Sequence, residues 1–373
     1  MRYPSTSSLI VLSTLVCLTP AFAQAPPIPI GPGATAPVAP AIAPASPPAT
    51  TSPAPAVGLQ APAAVAPVYP TPQEVNAAAF VPGVAIDPEQ PNALILKLQI
   101  LLDRAGFSPG VIDGYAGRNV AKTIQVAESI LGLPTDGTLD AELWAALSVN
   151  EGKALPVLAG YVITVEDLAG PFYPKLPSDY AELAKLDRAG YRTPLEMFAE
   201  RFHMNDKLLV ALNPGIAFDR PGTTIVVAAV GGPRQGPPVA SLVADKKRAQ
   251  LFGFDASGKL VVAYPATIGS ADMPSPSGTH QVNAIARNAA YYYRPEVNFV
   301  QGNNHDQLTI PPGPNNPIGT TWIDLTEPTY GIHGTPEPSQ IDKTNSHGCV
   351  RLTNWDIEEL AGLVKKGVPV EFR

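Results

Sequence analysis

The sequence predicts a chain of several domains: a small all-α domain, an α+β module, and a mainly-β domain with a C-terminal helix. Apolar residues recur at helical spacing over residues 92–150. Strand-like and helix-like runs follow over residues 160–229. Over residues 238–373, short apolar runs are separated by Gly, Pro and Asp, which is typical of a β-sandwich or barrel-like domain. A length of 373 residues accommodates these domains and a linker.

Residues 1–23 are expected to be a signal peptide. Arg2 precedes an apolar run over residues 9–18, and Ala-Phe-Ala at 21–23 has the small-x-small pattern of a signal-peptidase site. This run is too short for a permanent membrane span, and no later stretch of sequence is long and apolar enough for one. Lipid attachment at Cys17 is disfavoured, because Val16 is bulky where such sites need a small residue. We therefore expect an exported protein.

Residues 24–91 are expected to be a disordered linker rich in Pro and Ala, with residues 75–91 left without an assigned structure. The chain has 44 prolines, and the stretch before residue 72 has almost no charge, so it should form an extended tether. Only 15% of all residues are charged, the net charge is −7 and no basic block is present. This composition argues against a nucleic-acid partner.

The all-α domain should contain three helices. Leu94, Leu98, Leu101 and Leu102 share one face of the first helix, the second covers residues 119–130, and the third ends near residue 147. Between the helices lie Ala105-Gly106-Phe107, Asp113-Gly114, Gly117, Gly132-Leu133 and Asp136-Gly137. These residues resemble the type 1 peptidoglycan-binding domain, which implies wall binding. Ala127-Glu128 depart from the Phe-Gln usual in that family, so a spacer that keeps the fold is the alternative.

The α+β module is expected to have a strand at residues 161–165, helices at 194–202 and 206–212, and a closing strand at 224–228. The pattern is carried by Leu195, Ala199, Phe202, Leu208, Leu212-Asn213-Pro214 and Pro221-Gly222-Thr223. It resembles a LysM domain, which implies a grip on glycan strands. An insertion over residues 166–191 departs from that family. We expect His203 to be a surface helix residue.

The chemistry-bearing residues lie near the C-terminus. A thiol needs a base to become a nucleophile at neutral pH, and His333 and His347 are the candidates for Cys349. Gly348 permits a backbone bend that can aim N–H groups at an oxyanion. Removal of Cys17 with the signal peptide would leave Cys349 as the only thiol, without a disulfide partner. A zinc site is a weaker alternative, because no second dense cluster of ligands accompanies these residues.

The mainly-β domain resembles the L,D-transpeptidase catalytic domain of the YkuD type. The motifs that carry the resemblance are Pro274-Ser275-Pro276-Ser277-Gly278-Thr279, Asn316-Pro317-Ile318-Gly319, Tyr330-Gly331-Ile332-His333-Gly334-Thr335 and Ser346-His347-Gly348-Cys349-Val350-Arg351-Leu352. The resemblance implies that Cys349 is the nucleophile, His333 the base and the carbonyl of Gly334 its orienting group.

The same resemblance gives roles to the flanking residues. It implies that N–H groups of His347, Gly348 and Cys349 form the oxyanion hole, and that Ser346 helps to shape this loop. Arg351, Tyr330 and Thr335 are expected to contact substrate, with a surface ion pair as the alternative for Arg351. His280 and His305 should face solvent or bond locally. Residues 291–293 and Trp322 should be core or rim aromatics.

The implied reaction is peptidoglycan cross-linking. Cys349 would take the third residue of a stem tetrapeptide as a thioester, release D-alanine, and pass the acyl group to an amine of another stem. Water as acceptor would make a carboxypeptidase, and a protein lysine would make an anchoring enzyme. The resemblance implies no cofactor or metal, inhibition by carbapenems, and a location in the periplasm at the cell wall. A wall-binding protein with an inactive catalytic domain and a secreted cysteine peptidase are alternatives of other classes.

Overall fold

The structure is a computed structural model that describes residues 66–149, 156–230, 236–270, 273–297, 299–344, 346 and 348–373. The predicted signal peptide and residues 24–65 of the predicted linker lie outside the described residues. So does most of the Gly- and Pro-rich segment between the second and third domains, residues 231–235. No helix in the described ranges is both long enough and apolar enough to cross a bilayer.

The predicted linker extends too far toward the C-terminus. Helix α1 covers Pro72–Ala77, where Thr71 and Glu74 form a capping box and Pro72 opens the first turn. Val75 on this helix is fully buried against the second domain. The Thr-Pro-x-Glu pattern in the sequence is typical of a helix start. The helix was not predicted because it has only 6 residues and follows a Pro-rich stretch.

The all-α domain has the three predicted helices: α2 (Ala93–Arg104), α3 (Arg118–Leu131) and α4 (Ala141–Ser148). Asn92 caps α2 with its side chain, and α3 ends at Gly132 in the left-handed conformation, with φ +71°. Glu128, one of the two residues that depart from the family pattern, is buried and accepts the N–H of Gly137 at 2.9 Å. This carboxylate holds the turn before α4, so the departure is compatible with the fold.

The second domain contains β1 (Leu158–Val162), α5 (Tyr180–Leu183), α6 (Pro194–Arg201), α7 (Asp206–Leu212) and β2 (Thr224–Ala228), and β1 pairs antiparallel with β2. The predicted order of strand, two helices and strand is present, although β1 begins three residues earlier than predicted. The insertion contains α5 and a short 3-10 helix at Glu166–Leu168. The LysM resemblance itself stays a prediction.

The third domain has the predicted mainly-β architecture. Its strands are β3 (Ser241–Asp245), β4 (Gln250–Phe254), β5 (Leu260–Pro265), β6 (Thr267–Ile268), β7 (Gly278–Arg287), β8 (Tyr291–Tyr293), β9 (Leu308–Ile310), β10 (Thr321–Leu325), β11 (Gly331–His333), β12 (Val350–Arg351) and β13 (Pro369–Phe372). Helix α8 covers Asn354–Leu363, which is shorter than the predicted 354–366. It packs on β10 and β11.

The strands form a barrel-like sheet in the order β5-β4-β3-β13-β7-β10-β11-β12-β6, while β8 and β9 form a separate hairpin. The long strand β7 joins two halves, because its first residues pair with β13 and its last with β10. Only Ala266 separates β5 from β6, the two ends of this order, so the sheet must curl back on itself. The apolar core inside includes Ile323, Ile332, Val350 and Leu360.

The upstream domains pack directly against this sheet and against each other. Val126 of α3 and Phe107 contact Val243, Phe252 and Ala263 in an apolar cluster on the outside of the sheet. The N–H of Ile112 donates to His203 O at 2.8 Å, which joins the first domain to the second. All the described residues belong to one compact unit, Ala64–Arg373.

Candidate active site

Strand pairing brings the predicted base and the predicted arginine together. Strands β11 and β12 run parallel, and His333 is the register partner of Arg351. Ile332 and Val350, one residue earlier on each strand, are fully buried in the core. Because side chains alternate along a strand, His333 and Arg351 share the opposite face.

The environment of His333 fixes its tautomer. Its Nδ1 lies 2.7 Å from the carbonyl oxygen of Gly334. A carbonyl oxygen only accepts hydrogen bonds, so Nδ1 carries the proton and Nε2 is left with a lone pair. Trp322 stacks on the imidazole, with ring centroids 5.7 Å apart and an interplanar angle of 22°. A Cβ at Gly331 would lie 2.4 Å from the Trp322 ring, so glycine is needed for this packing.

Cys349 lies in a tight bend within the predicted motif. Gly348 has φ +104°, and a Cβ there would lie 2.6 Å from the Tyr330 ring. The half-buried thiol has the carbonyl of Thr329 at 3.9 Å from Sγ. Thr329 is itself in the left-handed region at φ +72°, which costs a β-branched residue about 1–2 kcal/mol. A strained backbone position therefore lies beside the thiol at Thr329, while Gly348 provides the bend without strain because glycine has no Cβ.

Ser346 holds this bend to the rest of the sheet. Its hydroxyl donates to Cys349 O at 2.7 Å and accepts the N–H of Gly269 at 2.7 Å. The Ser346 N–H in turn donates to Gly269 O at 3.3 Å. The side chain is buried, and both hydrogen bonds of its hydroxyl position the backbone next to Cys349.

The electrostatic environment favours a neutral thiol and a neutral imidazole. Burial raises the pKa of Cys349 to about 11, against the smaller lowering effects of a backbone hydrogen bond at Gly331 and of the Arg351 charge. Burial and the Arg351 charge lower the pKa of His333 to about 3, and the hydrogen bond to Gly334 acts in the opposite direction. The resting pair is therefore uncharged at neutral pH.

Arg351 lies beside the thiol with unused hydrogen-bonding capacity. Its Nε is buried and has no hydrogen-bond partner among the described residues. Burial lowers the pKa of the guanidinium, and Glu337, Tyr180 and Cys349 act to raise it. No ion pair of Arg351 is found among the described residues, and its role in substrate binding stays a prediction.

The remaining predicted substrate contacts differ in exposure. Tyr330 is half-buried, and its hydroxyl donates to Pro274 O at 3.4 Å. Thr335 is buried, and its hydroxyl accepts the N–H of Glu337 at 3.2 Å. Thr335 thus stabilises the turn after β11, whereas Tyr330 borders the Cys349 bend.

The remaining histidines differ in their location and in their hydrogen bonds. His347 lies outside the described residues. His280 bonds locally, with Nε2 donating to Ser277 O at 3.1 Å, and His305 is exposed. The prediction for His203 was wrong: this residue lies in the turn after α6, only 23% of its side chain is exposed, and it pairs with Asp103 at 2.9 Å. It also stacks on Trp355 of α8, because the domains meet at this turn.

Three contributors were not predicted. Trp322 belongs to the site, and the alternation in β10, where residues 321, 323 and 325 are buried, could have placed it on the face opposite the core. Tyr180 in the insertion packs on the β8–β9 hairpin, and its electrostatic partners include Arg351. Glu200 in α6 bonds to Asn354 at the start of α8. No sequence signal links these last two residues to the site, since the contacts cross domains.

A metal site is not evident in the described part of the chain. No three His, Cys, Asp or Glu side chains within the described ranges, which omit His347, lie close enough together to hold an ion. The groups that the site does offer are a thiol, an imidazole and backbone N–H groups, which suit acyl transfer.

Comparison with known proteins identifies what two segments of the chain are similar to. Residues 240–372 match the YkuD family, described as "L,D-transpeptidase catalytic domain", and residues 91–147 match a family described as "Putative peptidoglycan binding domain". The "Putative L,D-transpeptidase YkuD" of Bacillus licheniformis is 29% identical over 180 residues, which cover 48% of this chain and 92% of that protein. The "Probable L,D-transpeptidase YbiS" of Escherichia coli is 27% identical over 214 residues, 54% of this chain and 68% of that protein.

Solved structures of similar proteins include an L,D-transpeptidase from Mycobacterium smegmatis, with 18% identity and a TM-score of 0.30 over 41% of this chain and 63% of that one. The L,D-transpeptidase LdtMt1, solved in complex with imipenem, has 17% identity and a TM-score of 0.30, over 40% of this chain and 63% of that one. Residues 240–372 therefore carry an L,D-transpeptidase catalytic domain of the YkuD type, and residues 91–147 carry a peptidoglycan-binding domain of type 1.

Proposed function

We propose that this protein cross-links peptidoglycan stem peptides through a thioester on Cys349. The observation that carries the proposal is the tautomer of His333. Its Nδ1–H is committed to Gly334 O at 2.7 Å, which leaves Nε2 as a base on the face of the sheet that it shares with Arg351, two residues after Cys349. The family membership supplies the reaction class.

The donor is a stem tetrapeptide. Nε2 of His333 takes the thiol proton while Sγ attacks the carbonyl of the third residue, and the carbonyl oxygen becomes an oxyanion. The N–H groups of Gly348 and Cys349, with that of His347, stabilise this oxyanion. Collapse breaks the peptide bond, and the imidazolium returns its proton to the departing D-alanine. An amine of a second stem then attacks the thioester and restores the free thiol.

Because the resting thiol and imidazole are both neutral, the proton moves only as the substrate arrives. A neutral pair avoids burying two charges in the free enzyme. We expect the Arg351 guanidinium to receive a carboxylate of the donor peptide, and the lack of a hydrogen-bond partner for its Nε among the described residues supports this role. Ser346 maintains the bend on which the oxyanion donors lie.

The protein acts at the cell wall, in the periplasm, after export by its N-terminal signal. The peptidoglycan-binding domain supports this location, and the second domain would add a grip on glycan strands. Carbapenems are expected to acylate Cys349, because their strained amide mimics the donor carbonyl. No organic cofactor or metal enters the reaction.

The test uses the full chain, imipenem, and purified disaccharide-tetrapeptides, with products weighed by mass spectrometry. Cys349→Ala should form no imipenem adduct and no cross-linked dimer, and His333→Ala should lose nearly as much activity. His305→Ala, an exposed histidine, is the matched control and should behave as the wild type. A fully active Cys349→Ala protein would refute the mechanism. Activity in His333→Ala together with its loss in His347→Ala would move the base to His347.

The same measurement separates the acceptors. Dimers indicate transfer to another stem, tripeptides indicate hydrolysis, and attachment to a lysine-containing protein indicates anchoring. We expect dimers to dominate, because the thiol is half-buried in a bend bordered by Tyr330. This burial limits the access of water to the thioester. Tripeptides as the sole product would make the protein a carboxypeptidase.

A further inference from the structure

A side chain of the second domain reaches into the catalytic domain. Glu200 lies near the end of α6, and its two carboxyl oxygens are 3.1 and 3.0 Å from the amide nitrogen Nδ2 of Asn354. The hydroxyl of Tyr191, also in the second domain, donates to Glu200 Oε1 at 3.0 Å. Asn354 Nδ2 also donates to Pro314 O of the catalytic domain at 3.1 Å, so groups from both domains fix the direction of this amide.

The other end of the Asn354 amide packs against the active-site backbone. Its Oδ1 accepts the N–H of Thr320 at 3.1 Å. The same oxygen would lie 2.0 Å from a Cβ on Gly319 and 2.2 Å from a Cβ on Gly334. A side chain on either glycine would therefore collide with Asn354, which packs directly against the Gly334 backbone, so a shift of Asn354 is transmitted to that backbone.

The Gly334 carbonyl is the group that holds His333, at 2.7 Å from Nδ1. A continuous series of contacts therefore runs from Glu200 to Asn354, then to Gly334 and His333. We propose that Glu200 is a positioning residue for the base: it fixes Asn354, which fixes the backbone carbonyl that orients His333. This inference rests on the proposed function in taking His333 as the base.

The chemistry of Glu200 suits this task. Burial raises the pKa of its carboxyl group to about 8, and the carboxylates of Glu358 and Glu196 add to the effect, while hydrogen bonds from Asn354 and Tyr191 oppose it. Glu200 is therefore mainly a neutral carboxylic acid at pH 7. A neutral acid and a carboxamide have similar shapes, and both offer a carbonyl oxygen to Asn354.

The experiment compares Glu200→Leu, which fills the space without an acceptor, with Glu200→Gln, which restores one, in the full chain. Asp219→Ala, an exposed carboxylate of the same domain, is the control. We expect Glu200→Leu to lower kcat on disaccharide-tetrapeptides by about 10- to 100-fold with KM changed less than about 2-fold. Glu200→Gln should recover to within about 3-fold of the wild type. Imipenem acylation should follow the same order.

A double variant tests the path. If Glu200 acts through Asn354, then Glu200→Leu combined with Asn354→Ala should be no slower than the slower single variant, because both changes break one series of contacts. A loss of kcat in the double variant equal to the product of the two single losses would contradict a path through Asn354. Unchanged kcat in Glu200→Leu would overturn the inference, as would a Glu200→Gln protein as slow as Glu200→Leu.

Stability is measured on every variant by thermal melting. Should Glu200→Leu fail to fold, Tyr191→Phe decides, since it removes only the hydrogen bond to Glu200 Oε1. A kcat lowered about 2- to 5-fold at unchanged KM supports the inference, and wild-type kcat overturns it. A fully active Cys349→Ala protein would instead refute the proposed function, so the two failures are distinguishable.

Discussion

The reactive thiol and its base are both neutral in the resting protein, and burial is the main cause for each. Removing water penalises the charged form, which is the thiolate for Cys349 and the imidazolium for His333. The positive charge of Arg351 adds to the effect on His333 and opposes it on Cys349. Reactivity toward a substrate and reactivity toward a simple alkylating agent should therefore differ.

The first prediction concerns pH. The pKa of Cys349 is raised to about 11, so the thiolate fraction should rise about tenfold per pH unit from pH 7 to 10. Alkylation by iodoacetamide, followed by mass spectrometry, should rise in parallel, whereas a free cysteine levels off above its pKa of about 8.5. Imipenem acylation, in which His333 takes the proton, should vary much less over this range. A plateau of alkylation below pH 9 would contradict the prediction.

The second prediction concerns Gly348. Alanine here would combine φ +104° with a Cβ 2.6 Å from the Tyr330 ring, so the bend that carries Cys349 must shift. We expect Gly348→Ala to slow imipenem acylation about 100-fold and to lower stability by about 1–3 kcal/mol. Gly258→Ala is the control, because Gly258 has φ +81° in open space in a distant hairpin. Rapid acylation of Gly348→Ala would show that the bend is not required.

At the scale of elements, the insertion of the second domain is joined to the β8–β9 hairpin. Tyr180 packs edge-to-face on Tyr293 at 5.2 Å and on Tyr291 at 6.0 Å. The Gln301 side chain accepts the N–H of Tyr180 at 3.2 Å, and Ala189 accepts the N–H of Asn315 at 3.0 Å. The insertion therefore supports one wall of the catalytic domain, where burial raises the pKa of Tyr291 and electrostatic interactions with Tyr180 and Cys349 add to the effect.

The third prediction follows from these ring contacts. Tyr180→Ala should lower the free energy of unfolding by about 1–3 kcal/mol, because aromatic contacts and buried area are lost together. It should also speed proteolysis between β8 and β9. Tyr292→Ala is the matched control on the same hairpin, since Tyr292 is 69% exposed. Equal melting temperatures and equal cleavage rates for the two variants would mean that the insertion does not hold the hairpin.

At the scale of the molecule, the upstream domains are structural parts of the catalytic unit. The cluster of Val126 and Phe107 covers apolar residues on the outer surface of the sheet. Ser108 N–H donates to Ala263 O at 3.1 Å at the same junction. Glu200 adds a contact beside the site. Upstream domains that served only to anchor the protein to the wall would not need these contacts with the catalytic domain.

The fourth prediction compares residues 236–373 with residues 66–373. Loss of the upstream domains exposes Val243, Phe252 and Ala263 and removes Glu200, so the shorter chain should melt about 10 °C lower or more. Its imipenem acylation should also be slower, because His333 loses its indirect support. Thermal melting and adduct formation measure both effects. Identical values for the two chains would show that the catalytic domain is independent.

How much could be predicted from the sequence depends on how local the interactions are. The three helices of the first domain and the order of strands and helices in the second follow from periodicity and capping residues that act within a few positions. Helix α1 was missed despite its capping box, because the linker composition dominated its surroundings. His203 was misassigned, because its partners Asp103 and Trp355 are distant in sequence.

The sequence by itself determined the chemistry: one thiol after the predicted signal peptide, a histidine and a glycine-containing bend, in motifs specific enough to imply acyl transfer. These residues lie within 20 positions, so their association is local. Only the tertiary structure decided the protonation state of the pair, since burial is a property of the packed fold. It also decided that Glu200 and Tyr180 support the site, because those contacts join residues that are more than 100 positions apart.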